Sequence, residues 1–231
     1  MNKLLNLFVG FDQKESVAYH TFVQSVIETS SIPLSITPLA ENNLNMYEEN
    51  HQDGTNKFTY SRFLIPYLMN FDGWAVFADG DMICLEDIKK LIDISDKKFA
   101  VQLVKHDYKT KYKTKYFGQK NEDYPRKNWS SLILWNCSHE KNKILTPDFI
   151  SSKNGSFLHR FKWLDDIEIG EIDKEWNWLA IEYPEKDNLK LIHYTLGTPC
   201  FKEYQNTSLS SHWHDSFKKL LDGFYKQKKY L

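Results

Sequence analysis

The chain has 231 residues, 41% hydrophobic and 26% charged, which suits one large α/β domain with a buried core and excludes a chain dominated by disorder. A net charge of -1 argues against a dedicated nucleic-acid binder, which would be visibly basic. Aromatic residues reach 15%, with seven Trp and thirteen Tyr, and rings in that number either fill cores or build stacking surfaces for sugars or bases.

Leu4 to Val9 is too short for a signal-peptide core and Asp12 follows at once, so it reads as a first strand. Gly10-Phe11-Asp12 closes that strand with an acid, and Glu15 to Thr29 reads as a helix. Ala18, Phe22 and Val26 share one face of it, with Val23 and Ile27 beside them. This βα unit lacks the G-x-G-x-x-G spacing of a dinucleotide loop. Pro33 to Leu39 suits a second strand and Glu41 to Lys57 a surface loop. Helical periodicity returns from Phe58 to Leu68, where Phe58, Arg62 and Pro66 lie along one side and Pro66 must distort the helix. Arg62 is either a solvated or ion-paired helix charge or a phosphate clamp.

Trp74-Ala75-Val76-Phe77-Ala78-Asp79-Gly80-Asp81-Met82-Ile83 is an apolar run carrying two acids one residue apart. Such a run reads as a buried strand, whose carboxyl end is where open α/β sheets place ligands. Asp-Gly-Asp is either a turn or a pair of oxygen donors for one hard cation, Mg²⁺ or Mn²⁺. Leu85 to Asp93 reads as a helix with Glu86 and Asp87 in its first turn, where the helix dipole explains them. Phe99 to Val104 supplies another strand.

Lys109 to Tyr116 alternates Lys with Thr and Tyr, the pattern of a two-faced edge hairpin or of a surface for an acidic acceptor or membrane. Trp129 to Asn136 is a second apolar strand, with small residues Ser130 and Ser131 at its entrance that allow close approach of a ligand. Thr146-Pro147-Asp148 starts a helix, and Phe157 to Trp163 suits a helical piece. Asp165 and Asp166 are adjacent acids that point in different directions on any regular element. Leu189 to Tyr194 forms a late strand carrying His193, and Ser211 to Lys229 an amphipathic helix with Trp213, Phe217, Leu220, Leu221 and Phe224 inward. Cys84, Cys137 and Cys200 form no CxxC pair and fit a reducing cytoplasm. No apolar run approaches the ~20 residues of a membrane span.

The order of these motifs resembles the GT-A glycosyltransferases. Within them the chain is most similar to the retaining, glycogenin-like family eight and its bacterial relatives, over about Leu5 to Phe201. The resemblance rests on Tyr60-Ser61-Arg62, Phe77-Ala78-Asp79-Gly80-Asp81 and His193-Tyr194-Thr195-Leu196-Gly197-Thr198-Pro199. It implies a single domain over residues 1–231 with a mixed, mostly parallel sheet flanked by helices. It implies Mn²⁺ or Mg²⁺ held by Asp79, Asp81 and His193, and a nucleotide sugar, foremost a UDP-sugar, on that metal. Val9, Gly10, Phe11, Asp12, Tyr60, Arg62, Gly80 and Gly197 would border the donor, with Asp165, Asp166 and Arg62 near the reacting sugar. The implied reaction is hexosyl transfer, with retention, to a glycan, lipid-linked sugar or protein.

Three positions depart from the family pattern. Thr198 stands where the family has a phosphate-contacting Lys, which leaves Lys202 as a substitute; Trp129 stands where it has an Asn against the donor sugar, and Phe11 where an acid reads uracil. Two other functions remain at this level. A sugar-phosphate nucleotidyltransferase would release pyrophosphate, and a non-catalytic sugar- or nucleotide-binding protein would bind without turnover.

Overall fold

The computed structural model describes residues 4–51, 54 and 56–227. Strand β1 (Leu5–Gly10) leads through a short 3-10 turn at Gln13–Glu15 into helix α1 (Ser16–Thr29), followed by β2 (Leu34–Leu39). Ala18, Phe22 and Val26 are buried as their spacing predicts, whereas Ile27 is exposed. The expected helix at 58–68 is split into a 3-10 turn over Ser61–Leu64 and a single α turn, α2 (Ile65–Leu68), with Pro66 near its start. Proline has no N–H to donate, so it is accommodated at the first turn and breaks the longer helix there.

The apolar run also divides. Its first part is β3 (Trp74–Ala78) and its last part is β4 (Met82–Cys84), which belongs to a different sheet, so Asp79-Gly80-Asp81 bridges two sheets. Helix α3 (Lys89–Asp93) is shorter than expected, because Asp87 turns its carboxylate onto the backbone N–H groups of Lys89 and Ser31 instead of entering the helix. Then come β5 (Val101–Leu103), a small hairpin of β6 (Thr114–Lys115) and β7 (Gln119–Lys120), and β8 (Leu132–Asn136). Two short helices, α4 (Pro147–Ser151) and α5 (Gly155–Leu158), are capped by Thr146 and Asn154. Strands β9 (Ile169–Glu171) and β10 (Trp178–Leu179) carry too few residues to show a period in the sequence. The chain ends with β11 (Leu191–His193) and helix α6 (Ser210–Gln227). Trp213 is buried and stacks on Phe217, while the expected inward side chain of Phe224 lies outside the described side chains.

The main sheet has the order β2-β1-β3-β8-β5-β9, with only β8 antiparallel to its neighbours, so it is mixed and mostly parallel. Successive side chains of its central strands alternate between two cores, as a sheet buried on both faces requires. Phe8, Phe77, Ile133 and Trp135 enter one core with Phe63 and Phe161; Leu7, Val9, Val76, Ala78 and Leu134 enter the other with Phe22 and Val26. A smaller sheet, β10-β11-β4, packs its own core of Ile83, Leu179, Ile192 and Tyr194 against Trp213 of α6.

This arrangement gathers distant segments at one edge. The carboxyl ends of β1 and β3 and the entrance of antiparallel β8 meet there, and the Asp79 N–H donates to the carbonyl of Ser131. Antiparallel pairing of β11 with β4 sets His193 opposite Met82, and the Tyr194 N–H donates to the Asp81 carbonyl. The segments approach closely at Gly80, where a Cβ would lie 2.5 Å from the carbonyl oxygen of Gly10. The obstructing atom is backbone and cannot swing aside, so Gly80→Ala is expected to destabilise the protein by about 1–3 kcal/mol in urea unfolding.

Candidate active site

Asp79 and Asp81 flank a glycine, and their carboxylates turn toward His193. Its Nε2 lies 3.3 Å from Asp81 Oδ1 and 3.9 Å from Asp79 Oδ2. One donor atom from each of the three residues falls within 4.8 Å of the others, a spacing at which a single cation could touch all three.

A chain of hydrogen bonds fixes which face the histidine presents. Asn128 contributes a backbone carbonyl, which can only accept, so the Ser131 hydroxyl donates to it at 2.8 Å. Ser131 Oγ then accepts from Asn177 Nδ2 at 2.8 Å, which leaves Asn177 Oδ1 to accept from His193 Nδ1 at 3.0 Å. The proton is thereby assigned to Nδ1, and the lone pair of Nε2 faces the two acids. Asp81 Oδ1 is buried without a hydrogen-bond partner among the described residues. An orphaned carboxylate oxygen, a second carboxylate and an imidazole lone pair form a donor set that fits Mn²⁺ or Mg²⁺.

Burial pushes Asp79 up to about 6, with the Arg62 guanidinium opposing the shift and Asp81 adding to it. Arg62 lies 2.8 Å from Asp79 Oδ1, is only 5% exposed, and sits over the Phe77 ring at 4.8 Å and the Phe58 ring at 5.4 Å. It also donates to the carbonyls of Thr59 at 3.0 Å and Ser130 at 2.8 Å. Much of its donor capacity is thus spent holding Asp79 and the entrance of β8.

The three donors open onto a cavity of about 330 Å³ whose walls include Thr59, Tyr60, Arg62, Asn128, Ser130 and Thr195. Three groups of residues singled out in the sequence line it: the acid pair with His193, Arg62 with Tyr60, and the small residues before β8. Asn128, rather than Trp129, lines the cavity, its amide donating to the Tyr108 hydroxyl, while the Trp129 indole donates to the carbonyl of His106. Asp12 and Tyr60 line a neighbouring cavity of about 210 Å³, and Asp12 accepts from the N–H groups of Lys14 and Lys57. Gly10 and Gly80 border a narrow gap beside Asp81. Val9 is fully buried in the core, Phe11 packs edge-on against Tyr19, and Gly197 lies under Tyr204 and Tyr116.

Asp165 and Asp166 do not line the cavity. Their side chains are 80% and 83% exposed; Asp165 forms a capping box with Glu168, and Asp166 pairs with Arg126. An acid at the N-terminal end of a helical turn caps it, as Asp165 does here. His159 and Arg160, six residues earlier, line the cavity instead, and no spacing in the sequence singled them out. His159 bonds to Ser130 Oγ at 2.7 Å and is held neutral, its pKa pushed down to about 3 by burial and by Arg62. Lys202 is exposed and absent from the cavity wall, whereas Lys115 and Tyr116 are on it.

In the sequence Glu15 reads only as the start of the helix over 15–29. It stands beside the acids and near Tyr116, and is pushed up to about 8 by burial and then by Asp81.

The family described as Glycosyl transferase family 8 matches residues 4–140, and the chain belongs to that family. It is a glycosyltransferase with the GT-A fold. Among curated proteins it is 41% identical over 220 residues to Protein CDI of Arabidopsis thaliana, covering 91% of this chain and 85% of that one. Among solved structures, the bifunctional glycosyltransferase WbbM superposes with a TM-score of 0.68 at 15% identity, over 94% of this chain and 50% of that longer one. The galactosyltransferase LgtC, solved with donor and acceptor sugar analogues, superposes at 0.59 and 9% identity, over 93% of this chain and 96% of its own. No helix among the described residues is long and apolar enough to cross a membrane, and all three cysteines are free.

Two outcomes follow from this geometry. Replacing Asn177 with Ala removes the acceptor that orients His193, and Mn²⁺ affinity measured by electron paramagnetic resonance is expected to fall about 10–100-fold. Glu15 holds its proton in the folded chain to about pH 8 but, when unfolded, releases it near its ordinary value of 4.5. Its contribution to stability is therefore full below pH 4.5 and is lost as pH rises through 8. Between pH 5 and 8.5 the native protein should lose at least about 1 kcal/mol more stability than Glu15→Gln in urea unfolding.

Proposed function

We propose that the protein transfers a hexose from a nucleotide-diphosphate sugar, foremost a UDP-sugar, to an acceptor hydroxyl, using Mn²⁺ or Mg²⁺ held by Asp79, Asp81 and His193. The observation that carries this reading is the donor set itself, with two carboxylates and an imidazole lone pair converging at the rim of a sugar-sized cavity. When bound, the cation supplies charge stabilisation to the diphosphate as it leaves. Arg62 keeps Asp79 ionised and aimed, and Asn177 keeps the lone pair of His193 on the same point. The walls of Thr59, Asn128, Ser130, Ser156 and His159 supply hydroxyl, amide and imidazole groups for the hydroxyls of a sugar.

The remaining expectations belong to the same proposal. The whole chain would act as one domain, and transfer would proceed with retention at the anomeric carbon, as the resemblance to family eight implies. Gly10, Asp12 and Tyr60 would border the nucleoside, beside the second cavity. The acceptor would be a glycan, a lipid-linked sugar or a protein, and the scattered free cysteines suit a cytoplasmic site of action.

Purified protein with Mn²⁺ and a panel of nucleotide sugars is expected to release nucleoside diphosphate. Chelation and Asp81→Ala should each lower that rate about a hundredfold or more. Turnover unaffected by both treatments would overturn the metal-dependent mechanism, and release of pyrophosphate from a sugar phosphate and UTP would identify a nucleotidyltransferase instead.

A further inference from the structure

Four lysines alternate through the segment 109–115, and the sequence treats them alike. The structure does not. Lys109, Lys111 and Lys113 are exposed, while Lys115 turns inward and lines the cavity with Asp79, Asp81 and His193. Three contacts fix that orientation. Lys115 sits in the two-residue ladder of β6 with β7, opposite Gln119. The next residue, Tyr116, donates its N–H to the Leu196 carbonyl at 2.7 Å and stacks on Phe201 with ring centroids 5.3 Å apart. Glu15, at the start of α1, lies near it on the far side. The hairpin is thus clamped between the start of α1 and the loop after β11, with Lys115 facing the acids.

Among the described residues the Lys115 ammonium has no carboxylate within ion-pair distance, although three acids surround it. Burial lowers its pKa, and Asp81, then Asp79 and Glu15, oppose that shift. Enclosing an ammonium without a direct partner is unfavourable, and a Lys on an edge hairpin is more cheaply left in water, as its three neighbours are. Arg62 differs, because Asp79 and two backbone carbonyls already occupy it. Once a divalent cation neutralises Asp79 and Asp81, the Arg62 guanidinium beside Asp79 leaves the site that Lys115 faces with net positive charge. That environment suits a polyanion and no longer suits the ammonium alone.

We infer that Lys115 is a donor-binding residue, the ammonium that receives the diphosphate of a nucleotide sugar at the metal site. The inference rests on the glycosyl-transfer reading above. It places a phosphate contact on the β6–β7 hairpin, a segment whose sequence reads as an edge hairpin or a surface for an acidic acceptor or membrane, so donor binding and the position of that hairpin become linked. Lys115 would also face the leaving diphosphate as its charge grows, and a cation there acts on the bond-breaking step as well as on binding.

The test compares the native protein with Lys115→Gln, Lys115→Arg and, as a control of equal charge change on the same hairpin, Lys113→Gln. Mn²⁺ alone is titrated by electron paramagnetic resonance, and UDP is titrated calorimetrically in saturating Mn²⁺. Lys115→Gln is expected to lose about tenfold or more in UDP affinity. Its affinity for Mn²⁺ alone should stay the same or rise, because a repelling charge has been removed. Lys115→Arg should keep most of the UDP affinity, and Lys113→Gln all of it. Equal UDP affinity in Lys115→Gln and the native protein would overturn the inference while leaving the proposed function intact. Parallel loss of Mn²⁺ and UDP binding with a lowered melting temperature would also overturn it, in favour of a structural role for the hairpin. Absence of Mn²⁺-dependent UDP binding in the native protein would remove both the inference and the donor reading.

Discussion

Two carboxylates one residue apart at a buried sheet edge repel each other and lose hydration, and the structure is arranged around making that tolerable. Asp79, 9% exposed, survives beside Asp81 because the Arg62 guanidinium lies 2.8 Å away. That cation is itself sandwiched over the rings of Phe58 and Phe77. A buried ion pair of this kind is weak evidence of stability, since dehydration of both groups opposes their attraction. Its value lies in specificity, because it holds one carboxylate in one direction, and removing either partner would leave a bare charge inside the protein.

The same constraint explains the connection between the two sheets. If the apolar run continued as one strand, Asp79 and Asp81 would share a face but stand side by side, ~6.6 Å apart along it, rather than converging. Breaking the run at Asp79-Gly80-Asp81 and passing Met82–Cys84 to the smaller sheet lets both carboxylates turn to one point. The antiparallel register of β4 with β11 then brings His193 to that point, and the directional chain from the Asn128 carbonyl through Ser131 and Asn177 orients its lone pair. The candidate donors thus stand at strand ends, which hold geometry better than loops.

The cavity walls follow a different rule. They come from the 56–62 segment, the hairpin at 114–120, the entrance of β8 and the turn around His159. These segments are joined to the scaffold by side-chain contacts, such as Tyr116 on Phe201 and Ser130 on His159, rather than by the sheet ladders. The superpositions on WbbM and LgtC, at 15% and 9% identity, express a shared GT-A scaffold. What this chain does with a particular sugar is decided by the walls it adds to that scaffold.

Amino-acid order alone determined the central strands, because runs such as Leu5–Gly10, Trp74–Ala78 and Leu132–Asn136 are apolar enough to be buried on both faces. It also determined the acid pair and the late strand ending in His193, since each lies where an apolar run stops. Helix lengths at 58–68 and 85–93 were overstated, because Pro66 and the capping carboxylate of Asp87 act locally against a periodicity that spans them. Strands of two or three residues, such as β9 and β10, have no period to read. Asp165 and Asp166 are placed near the reacting sugar by the resemblance alone; in the structure Asp165 caps a surface turn and Asp166 pairs with Arg126. Only the tertiary structure distinguished Lys115 from three identical neighbours or brought His159, Arg160 and Asn177 to the site. Side-chain direction in a short hairpin or loop is set by what the segment docks against, and those contacts join residues tens of positions apart in the chain.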